Sequence, residues 1–403
     1  MNGVFKYFYV IFIVSAILYG STYVGFLSIR QLTTLIMFIT LLKEKIVFEF
    51  DGIIKCYGAF LFFAFLSSTF EGKVAIFIKD LIAYHFVAFV AYQATIVLIA
   101  KCDAVKYLIH TLICLGLFSS VLTILQYYGY GVVANQILDT LNISLANEEF
   151  LYTIQNSSDN LANYSLSGAF MSPVPNGYYL SLSGILALYP IAKADSLFEK
   201  VLFLLVWIIV FWGSFCCQQR LSFVILVLVS LFVFINNRSQ FGFIIYFILF
   251  LGGYWLISNF DTIDLGRYES FEDQSRNQIY YAAKDYFKSN LLYGGIWGFR
   301  EFSGGLSPHN LFLNSLAYSG IFGSIFMFYI IFAQIKDCLN IKELLSSSVL
   351  SFILLGYLAI TINSFTHNMS IVTGDIIFWI MWGAIFAYTR MKCEDEYFDS
   401  DIL

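Results

Sequence analysis

The 403 residues predict an all-α, polytopic integral membrane protein organised as a single domain. Hydrophobic residues make up 59% of the chain and charged residues 12%, against about 45–50% and about 25% in an ordinary soluble domain. Apolar runs close to the ~20 residues that cross a bilayer recur from one end to the other. Lys and Arg concentrate in alternate connections, as the charge bias of membrane insertion requires.

These patterns place twelve spans, near 4–20, 22–42, 53–70, 74–100, 105–128, 173–192, 200–217, 220–236, 241–258, 309–334, 346–366 and 375–390. The 74–100 run exceeds what a bilayer needs and reads as tilted. The first run has no small-x-small cleavage site behind it, so it reads as a retained span and not a signal peptide. With the N-terminus in the cytoplasm, thirteen of the 22 Lys and Arg fall on the inner side, including Lys6, Lys55, Lys101 and Lys106. Seven fall on the outer side, and Arg30 and Lys79 fall within spans. Both termini are therefore expected to be cytoplasmic. Two outer connections are long, 129–172 and 259–308. The acidic tail 391–403 is expected to be disordered and cytoplasmic.

Composition also excludes. The outer connections contain no cysteine pair, so no disulfide framework is expected there. No P-loop, GxGxxG or nucleic-acid motif occurs, and no His, Cys and carboxylate cluster has metal-ligand spacing, so neither metal nor cofactor nor nucleic-acid partner is expected. Thirteen outer carboxylates stand against seven outer cations, giving the outer side a charge of about −6.

The chemistry-bearing residues gather in 259–308 and the span mouths beside it. Its first half reads as a short amphipathic helix capped by Ser270 or Asp273, with Arg276, Tyr280, Ala283 and Phe287 on one face. Its second half, YGGIWGFREFSGGLSP, is a glycine- and aromatic-rich turn that a ligand can approach closely. Ser307 then suits an N-cap and Pro308 the first helical position. That places His309 and Asn310 in the first turn, where free N–H groups and the helix dipole disfavour a protonated imidazole. A neutral imidazole at a water–lipid boundary is either a usable general base or a residue that merely caps and packs. His85 and His110 read as structural. His367 and Asp375, at an outer helix end, are secondary candidates. Arg30, Lys79 and Asp80 are unusual inside spans: such charges are functional by default, or they reach for the interface.

His309-Asn310, followed by Gly320 and Gly323 in GIFG, resembles the signature shared by O-antigen ligases and Wzy-type O-antigen polymerases. The segments SRNQIYYAA and LLYGGIWGF resemble the loop that precedes the signature. GAFMSPVPNGYYLSL, with Pro175 and Asn176, looks like the family's upstream motif with an extra Pro-Val. CCQQRLSF holds Arg220 where the family has an arginine at a span's outer end. The similarity covers roughly residues 160–390. It implies an inverting, metal-independent glycosyltransferase with no cofactor at the outer face of a bacterial inner membrane. The implied partners are an undecaprenyl-diphosphate-linked oligosaccharide, the bilayer and a chain-length regulator protein. Carried over, His309 would take the proton of the acceptor hydroxyl, and Arg220 and Arg276 would hold the diphosphate, with Arg300 as a further phosphate ligand. Guanidinium binds phosphate in a two-pronged way and keeps its charge. For each arginine, a snorkelling or solvated side chain is the alternative.

The signature does not separate a polymerase, which joins one carrier-linked repeat to another, from a ligase, which moves the chain to phosphorylated lipid A core. An outer charge of about −6 suits a neutral sugar acceptor better than a phosphorylated one, and so favours the polymerase. A polytopic transporter is the rival of a different class. It would be expected to show two related halves and paired broken helices, and neither is visible in the sequence.

Overall fold

The computed structural model describes residues 2–20, 22–24, 27–102, 104–143, 166–170, 172–237, 274–305, 308, 310–339, 344, 348–366 and 371–400. The candidate residues His309 and His367 lie outside these, as do the expected cap residues Ser270, Asp273 and Ser307 and the span 241–258. Arg276 is described only as part of a helical backbone.

The chain runs through α1 (Asn2–Leu18), α2 (Ile29–Lys43), α3 (Gly52–Phe70), α4 (Val74–Ala100), α5 (Val105–Tyr127), α6 (Gly131–Thr140), α7 (Pro173–Lys193) and α8 (Leu197–Cys216). It continues through α9 (Arg220–Asn237), α10 (Gln274–Asn290), α11 (Ile296–Phe302), α12 (Leu311–Cys338), α13 (Val349–Ser364) and α14 (Ile376–Ser400). The all-α expectation omits one feature: Tyr23–Val24 and Leu27–Ser28 pair as a short antiparallel hairpin between α1 and α2. Among the described residues, α3, α4, α5, α8 and α12 are long and apolar enough to cross a membrane. Shorter apolar helices cover 3–18, 220–236, 349–364 and 376–391.

Local chemistry explains the helix starts. Ser28 and Gln31 form a reciprocal capping box at α2. Asp51 caps α3 through the Ile54 amide at 2.7 Å and also accepts the Tyr92 hydroxyl at 2.8 Å. Pro173 opens α7, where its missing N–H costs nothing. That helix is buried on every side and packs against α5, α8, α9 and α13. Small residues permit the close approach; the Ser183 hydroxyl, for example, donates to the Leu112 carbonyl at 2.7 Å.

Four sequence expectations are corrected. The 129–172 connection contains α6, whose Ala134 and Leu138 are buried one turn apart. The acidic tail continues α14 as helix to Ser400, since no Gly or Pro interrupts it. The buried face of α10 is Ile279, Ala283 and Phe287, while Tyr280 is exposed. These three pack with Ile296, Phe299 and Ala317 as a satellite core joining α10, α11 and α12, so Ala283 and Phe287 lie on the expected face and Ile279 takes the place expected for Tyr280. Finally, α12 starts at Leu311. Its N-cap is Asn310, whose carboxamide accepts the Phe312 and Leu313 amides at 2.8 and 3.3 Å. Asparagine is a strong N-cap residue, so position 309 precedes the cap in sequence and is not in the helix's first turn, contrary to the expectation from Ser307 and Pro308.

Candidate functional site

Within α4, residues Leu81–His85 form a π-helical turn. The extra residue re-aims the side chains around it, a distortion that recurs at functional sites. Asp80, just before this turn, and Tyr84 and His85 within it line a cavity of about 400 Å³. Arg30 enters from the start of α2, Pro175 from α7, Trp297 and Arg300 from α11, Tyr318 from α12 and Asp375 from the turn before α14.

Both wall arginines are held by neighbouring groups. Arg30 donates Nε to the Ala16 carbonyl at 2.7 Å and lies over the Tyr84 ring, 5.8 Å from its centroid. Arg300 lies over Trp297 at 5.0 Å. Its Nε is buried and meets no acceptor among the described residues. Neither guanidinium closes an ion pair there. Asp80 nevertheless feels the charge of Arg300, and Asp375 that of Arg30. Two cations with donors left over, opposite two carboxylates that stay apart from them, can receive an anion and a proton in one space.

Asp375 is shaped by its turn. Its carboxylate accepts the Ile377 amide at 3.0 Å at the mouth of α14. Burial pushes its carboxyl up to about 6, although the amide and Arg30 pull the other way. Gly374, at φ 69°, lies against His85: a Cβ there would come within 2.8 Å of the imidazole Nδ1. The same nitrogen stands 2.6 Å from the Tyr57 hydroxyl, which also reaches the Ile371 carbonyl at 3.2 Å. The 371–375 turn is thus fitted onto the π-helical turn, and that fit brings Asp375 to the cavity.

The other predicted site residues are placed as follows. Asn176 is fully buried. It accepts from the Ser119 hydroxyl at 2.7 Å and donates to Thr123 Oγ1 and the Leu166 carbonyl, both at 2.9 Å. It ties α7 to α5 and to the segment before α7, away from the cavity lining. Asn310 caps α12 and donates to the Phe365 carbonyl at 2.9 Å. Gly320 interrupts α12 at φ 62°, ψ −169°, a conformation open in practice to glycine alone. A Cβ there would run into the Leu292 carbonyl. The break seats the glycine-rich turn, since the Gly295 amide donates to Ala317 and the Ile321 amide to Leu291. Gly323 lets α12 approach α3, where a Cβ would stand 3.0 Å from that of Phe63. Arg220 opens α9 and is not part of the cavity wall.

So Arg30, Arg300, Pro175 and Asp375 meet in one space, while Asn176, Asn310, Gly320 and Gly323 build what surrounds it. Sequence reasoning assigned no role to Tyr84, Trp297 or Tyr318 and took His85 as structural. Spacing could have found Tyr84, one helical turn after the intramembrane Asp80; nothing in the sequence announces the π-helical turn. Among the described residues no three His, Cys, Asp or Glu side chains cluster as a metal site requires.

Fold and site together define a helical protein, with helices fit to cross a membrane, that encloses a cavity walled by arginine, aspartate and aromatic rings. Compared with models of protein families, with curated proteins and with solved structures, the chain finds no match.

Proposed function

We propose that this chain is a surface-polysaccharide polymerase, transferring polyprenyl-diphosphate-linked glycan to a hydroxyl of another lipid-linked repeat at the outer face of a bacterial inner membrane. One observation carries the reading: Arg30 and Arg300, 270 residues apart in the sequence, line one cavity, so two guanidinium groups that can pair with phosphate oxygens share one space. The signature-like Gly320 and Gly323 lie on the α12 segment, capped by Asn310, that seats the turn leading into the Arg300 helix, which supports it further.

In this reaction the acceptor oxygen attacks the anomeric carbon. The bond from that carbon to the diphosphate oxygen breaks, and the diphosphate leaves with the electron pair. Its developing charge is met by Arg30 and Arg300, stabilisation that matters most in a water-poor site. Attack from the opposite face inverts the anomeric carbon. The acceptor proton goes to His309, one residue before the cap of α12. Asp375 is the second reading for this role, because it lines the cavity and its proton affinity is raised toward neutrality. The proposed topology keeps twelve spans and both termini on the cytoplasmic side.

The test is reconstitution in liposomes with an undecaprenyl-diphosphate-linked repeat as donor and acceptor. Elongated carrier-linked glycan is the expected product. Its absence under conditions where the protein stays folded would overturn the proposal. His309→Gln and Asp375→Asn, assayed in parallel, separate the two candidate bases: loss of a base costs about a hundred- to ten-thousandfold in rate.

A further inference from the structure

A second cavity, of about 800 Å³, lies between α1 and α5 and shares no lining residue with the first. Its walls are apolar: Val10 and Val14 face it from α1, Cys114 and Phe118 from α5. At one end Leu141 and Ile143 line the groove, tied to α1 and the segment after it where the Tyr19 hydroxyl donates to the Leu141 carbonyl and the Thr22 hydroxyl to the Asn142 carbonyl, both at 3.0 Å.

The other end is cationic. Lys106 lines the cavity there. Lys6 lies over the Tyr107 ring at 5.6 Å, and Tyr107 is part of the same wall. Against these stands Glu199, within electrostatic reach of His110. The span from Lys106 to Phe118 along α5 is about 18 Å at 1.5 Å per residue. One leaflet of hydrocarbon is about 15 Å deep. The groove thus has the length of one acyl chain and a cationic end.

We propose that this groove binds an anionic phospholipid from the leaflet on the Lys6 and Lys106 side, with its phosphate at the lysines and one acyl chain along α1 and α5. Each lysine near an anionic headgroup contributes attraction that a zwitterionic lipid of the same chains lacks, and the long lysine side chains reach the interface from within the helices.

The experiment is native mass spectrometry of the full chain with phosphatidylglycerol and phosphatidylcholine of identical acyl composition. Wild type is expected to retain phosphatidylglycerol several-fold better. Lys6→Gln with Lys106→Gln should weaken that retention about tenfold, while Lys336→Gln on α12 should leave it unchanged. Cys114→Trp fills the groove without touching a charge and should reduce retention of both lipids. Equal retention of the two lipids by wild type, or undiminished phosphatidylglycerol binding in either groove variant, would overturn the proposal.

Discussion

The Glu71 carboxylate accepts the backbone N–H of Gly298 at 2.6 Å. Glu71 ends α3, and Gly298 is the third residue of α11, so one bond fixes where Trp297 and Arg300 enter the cavity. The first N–H groups of a helix have no partner within it. Here a remote carboxylate supplies one, at the cost of being half-buried itself. Burial holds the Glu71 carboxyl above its usual range, and the Gly298 and Trp297 amides offset part of that rise.

Glu71→Ala should free α11. A buried donor left without an acceptor costs roughly 1–3 kcal/mol, so amide hydrogen exchange across 296–300 should accelerate about tenfold or more. Glu71→Gln keeps an accepting oxygen and should exchange close to wild type. If Ala and Gln variants exchange alike, the bond does not position the helix.

Gly320→Ala should be severe. The backbone at Gly320 is in a region that costs other residues about 1–3 kcal/mol, and the new Cβ meets the Leu292 carbonyl besides. Thermal unfolding in detergent should shift down by several degrees, or folded protein should be lost. An unchanged midpoint would mean that the 291–295 turn yields easily.

Much of this was legible in the sequence because apolar length and caps are local properties. The expected span 53–70 and the helix Gly52–Phe70 agree, as do 105–128 and Val105–Tyr127. What escaped depends on partners far along the chain. Asn310 caps α12 while its amide nitrogen also bonds the Phe365 carbonyl, a contact that spacing cannot reveal. Arg30 and Asp80 stood out as charges within apolar runs, yet nothing local tied them to Arg300. The π-helical turn that brings Asp80 and His85 to one cavity has no composition of its own.

Arg30→Lys and Arg300→Lys keep charge and lose the two-pronged geometry. Inorganic pyrophosphate should raise the melting midpoint of the wild type in a concentration-dependent way. Each lysine variant should need about tenfold more pyrophosphate for the same rise, whereas Lys284→Ala, on exposed α10, should behave as wild type. Identical dose dependence in all four proteins would remove the arginines from the anion site.

Asp375 gives the clearest pH dependence. Its carboxyl titrates near 6 in the folded protein, against 3.8 for an ordinary aspartate. The folded state therefore holds the proton more tightly than the unfolded state. Stability from this group is fully present below about 3.8 and is lost as the pH rises toward 6, by roughly 3 kcal/mol at most. Glu71 is shifted in the same direction, so the wild-type slope alone does not isolate Asp375. The difference between Asp375→Asn and wild type does. Asparagine keeps an oxygen for the Ile377 amide but carries no charge, so the variant should gain on wild type from pH 4 to 6 and hold a constant advantage above. A difference that stays flat with pH would show that the carboxyl titrates as an ordinary aspartate. Activity then divides the two remaining roles. If Asp375 accepts the acceptor proton, the stabilised Asn variant should be inactive at every pH. If it only shapes the cavity beside Arg30, the variant should polymerise while melting higher than wild type.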